Sequence, residues 1–218
     1  MKQALIKLHI SVFLAGFTGI LGVLISLNEM SLVWYRIMIT VVSLSVLFKI
    51  TGKSAQLPKS TVIRFILIGC LIALHWVAFY GSIKLSNVSI GLVCFSATGL
   101  FTALLEPLLV TKKIQWAELG LGLISLLGIY LIFHFDQRYQ TGIIVGIISA
   151  FLAALFSVLN KRHVNKAEPL VIMLYELTGG LLVLTLLMPL YGYFFPEMWI
   201  KNKFFFALQS VRFAPPTG

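Results

Sequence analysis

The sequence predicts an all-α fold, a polytopic membrane helix bundle laid out as a five-helix inverted repeat whose second copy is incomplete. Three observations predict it. The chain is 59% hydrophobic and 11% charged, with a mean hydropathy of +0.99, whereas a soluble domain carries roughly a quarter of its residues as charged side chains. The apolar residues fall in runs of about 20, the length that crosses a hydrocarbon core of roughly 30 Å at 1.5 Å per helical residue. The chain also matches itself at a distance: FLAGFTGILG from Phe13 resembles FLAALFSVLN from Phe151, and LVWYR ending at Arg36 parallels VIMLYE ending at Glu176.

Seven spans follow in order. Leu5–Leu27 comes after a basic tip at Lys2 and Lys7; it is too long for the apolar region of a signal peptide and no A-x-A site follows, so it reads as a retained first span. Ser31–Phe48 carries Arg36, and Val62–Gly81 carries His75, Trp76 and Tyr80. Val88–Val110 is read as one continuous helix with Glu106 and Pro107 near its end, and Trp116–Phe135 is the fifth. Thr141–Asn160 opens on Gly142 and Gly146, a GxxxG pair, and Leu170–Tyr191 carries Glu176. Small residues at Gly16, Gly19 and Gly22, at Ser96, Ala97 and Gly99, and at the GxxxG pair let helix backbones approach closely in lipid.

The gaps are short, so neighbouring helices run antiparallel and the loops alternate between the two sides. One side then receives Lys2, Lys7, Lys49, Lys53, Lys59, Arg64, Lys112, Lys113, Lys161, Arg162 and Lys166; the other receives Lys84, Arg138, Lys201 and Lys203. The richer side is predicted to be cytoplasmic, with the N-terminus inside. A net charge of +10 would suggest nucleic acid for a soluble protein, but these residues sit in the short gaps and read as topology signals. Cys70 and Cys94 lie inside apolar runs, without disulfide, redox or zinc spacing, and are expected to be buried free thiols.

The self-matches align span one with span six and span two with span seven. A unit of five helices is odd, so the second copy enters the membrane in the opposite sense. Inverted repeats let two similar halves exchange inward-open and outward-open shapes, which points to transport.

The segment HWVAFYGSIKLSNVSIGLV from His75, the segment FTALLEPLLVTKKIQWAELGLGLISLLGIYLI from Phe101, and the second helix with its Arg36 resemble EamA-type members of the drug/metabolite transporter superfamily. Ser86, Asn87 and Ser89 match that family's loop between helices three and four, Pro107 its proline late in helix four, and Glu118, Gly120 and Gly122 the opening of helix five. The resemblance implies a ten-helix exporter or metabolite carrier with both termini in the cytoplasm and a central cavity, in a cell's inner membrane. Residues 1–136 are then the first repeat of five helices, 141–200 the start of the second with two helices, and 201–218 an irregular tail too poor in apolar residues to span. Measured against ten helices, a truncated or frameshifted chain is expected.

An ionisable side chain at the centre of a membrane helix costs roughly 2.5 to 3.5 kcal/mol on insertion scales, so each one asks for a reason. Arg36 either snorkels to the outer headgroups or faces the cavity, and Glu176 lies deeper, where a cavity-facing or paired role is expected. Inversion sets these two on opposite sides of the midplane, bracketing a substrate path. His75, Trp76 and Tyr80 are candidate lining residues, against the ordinary reading of a hydrogen-bonded neutral His among common aromatics. Glu106 beside Pro107 suits gating or proton coupling, or else a simple pairing with Lys112 and Lys113. The expected partners are a small-molecule substrate, the lipid bilayer and, as an open question, a second copy forming a homodimer; nucleic acid is not among them.

Rival classes are weaker. GxSxG, HExxH, histidine boxes and paired acidic motifs are missing, so neither an enzyme nor a catalytic metal is expected. With no nucleotide-binding loop, direct ATP coupling and a cofactor are not expected either. The alternative reading is a seven-span membrane protein that does not transport, or an inactive transporter fragment.

Overall fold

A computed structural model describes residues 5–7, 9–11, 13–14, 24–25, 27–110, 113–135 and 137–191. Most of the first predicted span lies outside them, as do Gly16, Gly19, Gly22, Lys112 and the 201–218 tail. Among the described residues the regular elements are all helical: α1 Glu29–Thr51, α2 Lys59–Leu85, α3 Val88–Phe95, α4 Thr98–Leu109, α5 Trp116–Phe135, α6 Gln140–His163 and α7 Pro169–Leu187, with short 3-10 turns around α6 and after α7. Taking α3 and α4 together, six stretches are long and apolar enough to cross a membrane, and the protein is a multi-pass membrane helix bundle.

Local chemistry sets the boundaries. Asn28 Oδ1 accepts from the Ser31 N–H at 2.8 Å and starts α1, which ends on Gly52 in the left-handed conformation that glycine adopts without strain. Asn87 starts α3 in the same way, accepting from the Ile90 N–H at 3.0 Å. Pro169 occupies the first position of α7, where its missing N–H is no loss. Pro189 falls in the 3-10 turn Met188–Tyr191, so α7 stops short of the predicted end at Tyr191.

The fourth predicted span differs from expectation, because Val88–Val110 is interrupted at Ser96 and Ala97. The Ser96 N–H is shared between the Leu92 and Val93 carbonyls, and the Ala97 N–H reaches the Cys94 carbonyl at 3.1 Å. Ser96 Oγ donates to the Val93 carbonyl and Thr98 Oγ1 to the Phe95 carbonyl, each at 2.6 Å. These three-residue bonds tighten the chain and satisfy backbone oxygens that a broken helix would otherwise leave unpaired in lipid. Gly99 has open space beside it rather than a neighbouring helix.

Successive spans, with α3 and α4 counted as one, run antiparallel between two ends of the bundle. The Asn87 end gathers the starts of α1, α3 and α6 and the ends of α2 and α7; the Lys59 end gathers the start of α2, the end of α6 and the start of α7. At the Lys59 end, Tyr175 Oη donates to the Ala55 carbonyl at 2.7 Å and Lys53 pairs with Glu168 at 3.3 Å; at the Asn87 end Lys84 donates to the Leu27 carbonyl.

The hub is α2, packed most extensively against α6 and α7, while α5 packs chiefly on α4. Large apolar side chains such as Leu67, Leu108, Leu121 and Leu186 are exposed, and the buried positions include many small ones, among them Ala73, Ala150, Ala153 and Ala154. This inside-out pattern fits helices solvated by lipid and held by close packing. Gly142 lies against Ser86, and Gly146 against Ser82 and Cys94, so the GxxxG pair of α6 faces α2 and α3. The α2–α7 crossing is tighter still: a Cβ on Gly69 would overlap the Glu176 carbonyl, and one on Gly179 would overlap the Ile66 carbonyl. Gly69→Leu is therefore expected to cost about 3 kcal/mol, the upper range for overpacking. For a chain of this size that is roughly a 6 to 12 °C fall in the melting temperature of the detergent-purified protein. An unchanged melting temperature would show that α2 and α7 do not meet at Gly69.

Candidate functional site

Three predicted site residues come together near the Asn87 end. Arg36 projects from α1 and Trp76 and Tyr80 from α2, where a spacing of four residues sets them one above the other. Arg36 Nη1 donates to Tyr80 Oη at 2.6 Å, and its guanidinium carbon lies 4.7 Å from the centroid of the Trp76 ring. Tyr80 is buried while Arg36 and Trp76 are partly buried. The cation thus sits on an aromatic face and against a phenol oxygen in a low-dielectric setting, where a cation–π contact contributes about 2 kcal/mol when desolvated. Arg36 does not hang free in lipid.

His75, next to Trp76 in sequence, points to a different face of α2. Its Nδ1 is 2.9 Å from both the carbonyl oxygen and Oγ of Ser149 on α6, and Ser149 Oγ also lies 3.2 Å from the His75 carbonyl. The rings of Phe79, Phe95 and Phe156 surround the imidazole at centroid distances of 6.2, 5.5 and 5.6 Å. This joins α2, α3 and α6 at mid-span.

Glu176 is buried on α7, toward the Lys59 end, with the Asn160 side chain of α6 beside it. Among the described residues nothing donates to its Oε1. Its backbone carbonyl is the one that Gly69 approaches, so the acid sits where α2, α6 and α7 converge. Arg36 and Glu176 each occupy the eighth position of their helices, counted from Glu29 and from Pro169. Since α1 starts at the Asn87 end and α7 at the Lys59 end, the two lie about equally deep from opposite ends.

Glu106 is buried on α4 and accepts from Lys161 Nζ of α6 at 2.6 Å, with Lys161 half exposed. Pro107 follows it in the last turn of α4, where the proline cannot donate to the Ala103 carbonyl. The predicted residues therefore divide into an Arg36–Trp76–Tyr80 group, a Glu176–Asn160 group and a Glu106–Lys161 pair, with His75 as a packed joint between helices.

Sequence reasoning missed Ser149, Asn160 and Lys161. Asn160 was placed at a span boundary and Lys161 among the topology charges, and Ser149 left no signal beyond being one hydroxyl in an apolar run. Trp34, whose Nε1 donates to Thr185 Oγ1 at 2.8 Å to tie α1 to α7, was not singled out either. Among the described residues, no three His, Cys, Asp or Glu side chains gather as a metal site requires. Cys94 is buried, and Cys70 is only partly so, with its thiol directed at the Gly179 carbonyl at 3.6 Å.

The family model described as the EamA-like transporter family matches residues 3–134. None of the curated proteins and none of the solved structures matches the chain.

Proposed function

The chain belongs to the EamA-like transporter family, and from that premise we propose a secondary transporter that moves a small metabolite or drug-like molecule across a cell's inner membrane by alternating access. The observation that carries the mechanism is the placement of Arg36 and Glu176, equally deep from opposite ends of the bundle on α1 and α7. Related halves of opposite orientation would set two such groups on either side of a midplane site.

In this reading Arg36, backed by Trp76 and Tyr80, meets an anionic or aromatic part of the solute entering from the Asn87 end. Its contacts to the phenol oxygen and the indole face leave guanidinium N–H groups to spare, since the side chain carries five donors. Glu176, with one oxygen buried and not hydrogen-bonded among the described residues, takes a cationic group or a proton on the way to the Lys59 end. A buried carboxylate in that state gains from whichever cation reaches it. His75 holds α2 against α6 and so fixes where Trp76 and Tyr80 stand. Glu106 with Lys161 clasps α4 to α6 beside Pro107, and opening that clasp is the gating step. The energy comes from a solute or ion gradient.

The test is uptake into liposomes containing the purified chain, against empty liposomes, over a panel of radiolabelled amino acids, nucleosides, organic acids and drugs. At least one solute is expected to enter faster with the protein present. Equal uptake across the panel counts against transport by this chain.

A further inference from the structure

The Lys59 end holds a cleft that the transport path does not use. Its volume is about 400 Å³, and its walls are Arg64 of α2, Arg162 and His163 at the end of α6, and Lys166 in the turn that follows. Arg64, Arg162 and Lys166 are exposed, so their charged ends reach the cleft from the membrane surface. His163 is buried below them, its Nδ1 2.8 Å from the Leu159 carbonyl and its ring edge-on to Phe65, which leaves Nε2 for a ligand.

Among the described residues the cleft is cationic without an internal counter-charge. Among the described residues no carboxylate pairs with Arg64, Arg162 or Lys166: Glu106 is taken by Lys161 and Glu168 by Lys53. The bias of Lys and Arg to one side of a membrane requires these residues on this side, but it does not require Arg64 to meet Arg162 and Lys166 around one hollow. Like charges so gathered repel, and an anion between them relieves the repulsion. Guanidinium forks fit phosphate oxygens in pairs, and an ammonium adds a mobile point charge. Three residues along α2 from Arg64, on the same face and deeper in the span, Leu67 is exposed and offers apolar surface directly below the charged rim.

We infer that this cleft binds a phosphate group, carried by the headgroup of an anionic phospholipid in the adjoining leaflet or by a soluble phosphate.

The experiment uses the purified chain in detergent. Binding of dioctanoyl phosphatidylglycerol is titrated by native mass spectrometry, with inorganic phosphate as competitor. Arg64→Gln and Arg162→Gln are each expected to weaken binding roughly fivefold and together roughly 25-fold, the effect of one basic residue at an anionic membrane surface taken once and twice. Lys49→Gln removes the same charge from this end of the bundle at a residue outside the cleft, and is expected to leave binding unchanged. Melting curves in the same detergent verify folding, and Lys166→Gln replaces either arginine variant that does not fold. Phosphatidylglycerol binding that phosphate does not displace identifies the lipid headgroup as the source, and displacement by millimolar phosphate identifies the soluble one. No binding of either, or equal weakening by Lys49→Gln and Arg64→Gln, overturns the site.

Discussion

Arg36→Ala is expected to abolish most solute uptake, and Glu176→Gln to do the same, while both variants still insert and melt as folded proteins. Truncating Arg36 takes away a charge-assisted hydrogen bond and the cation over Trp76 together. Losing a hydrogen bond to a charged group costs about 1.5 to 3 kcal/mol, or roughly 10- to 150-fold in uptake if the solute replaces part of that bond during passage. The fold tolerates the change because Trp76 and Tyr80 still pack on α1 through their rings, within the cluster around Val33 and Ile37. Glu176→Gln keeps the size of the side chain and a partner for Asn160, but abolishes the charge. If Glu176 only braces α7 against α6, the glutamine transports normally; if it meets a cation or proton, uptake falls. Initial rates in liposomes, set beside melting curves, separate these results.

The second large effect is at the clasp between α4 and α6. Glu106→Gln and Lys161→Gln are each expected to slow uptake roughly tenfold, equivalent to a coupling of about 1.4 kcal/mol, within the range for contacting pairs. The swap Glu106→Lys with Lys161→Glu is expected to restore a large part of the rate, because the pair re-forms with its ends exchanged. Glu106 is nearly buried and Lys161 half exposed, so the lysine end meets solvent in either arrangement only if the chain adjusts, and recovery is expected to be partial. Equal rates for the single variants and wild type would remove the pair from any gating role.

The bundle was legible because membrane helices announce themselves by length and composition. The second, third, fifth, sixth and seventh predicted spans each correspond to a described helix, and the differences lie in caps and ends that hydropathy does not encode. Asn28 and Gly52 lengthen α1, and the polar residues after Asn160 continue α6 to His163 because a helix persists into the headgroup region after its apolar stretch stops. The break at Ser96 and Ala97 was hidden because a run such as VSIGLVCFSATGLF is as apolar as an unbroken helix. Its hydroxyl-to-carbonyl bonds are a matter of geometry. Glycines were noticed where they recur at a helical spacing, as at Gly142 and Gly146, yet the tightest crossing pairs Gly69 with the Glu176 backbone and Gly179 with the Ile66 backbone. That contact joins residues far apart in the chain, and a single sequence carries no sign of it.

The same limit governs the site. An intramembrane ionisable residue is conspicuous by its cost, so Arg36, Glu106 and Glu176 stood out, whereas the partners that stabilise them are ordinary residues. Lys161 looks like any interfacial lysine until α4 is laid against α6. His75 and Trp76 are neighbours in sequence but serve different faces of α2, one bound to Ser149 and the other under Arg36. Because each helix is apolar nearly all round, only the packing could divide them.

The central claim is a path that opens alternately to the two ends of the bundle. Single thiols placed one turn from its two charges, by Leu32→Cys on α1 and by Ile172→Cys on α7 in a Cys70→Ala, Cys94→Ser background, report on it directly when a membrane-impermeant maleimide is applied to intact and inverted vesicles. The account predicts that the thiol at position 32 reacts from one side of the membrane and that at position 172 from the opposite side. It also predicts that a transported solute raises the rate at one position while lowering it at the other. Labelling of both positions from the same side, or rates at both that no transported solute alters, would contradict it.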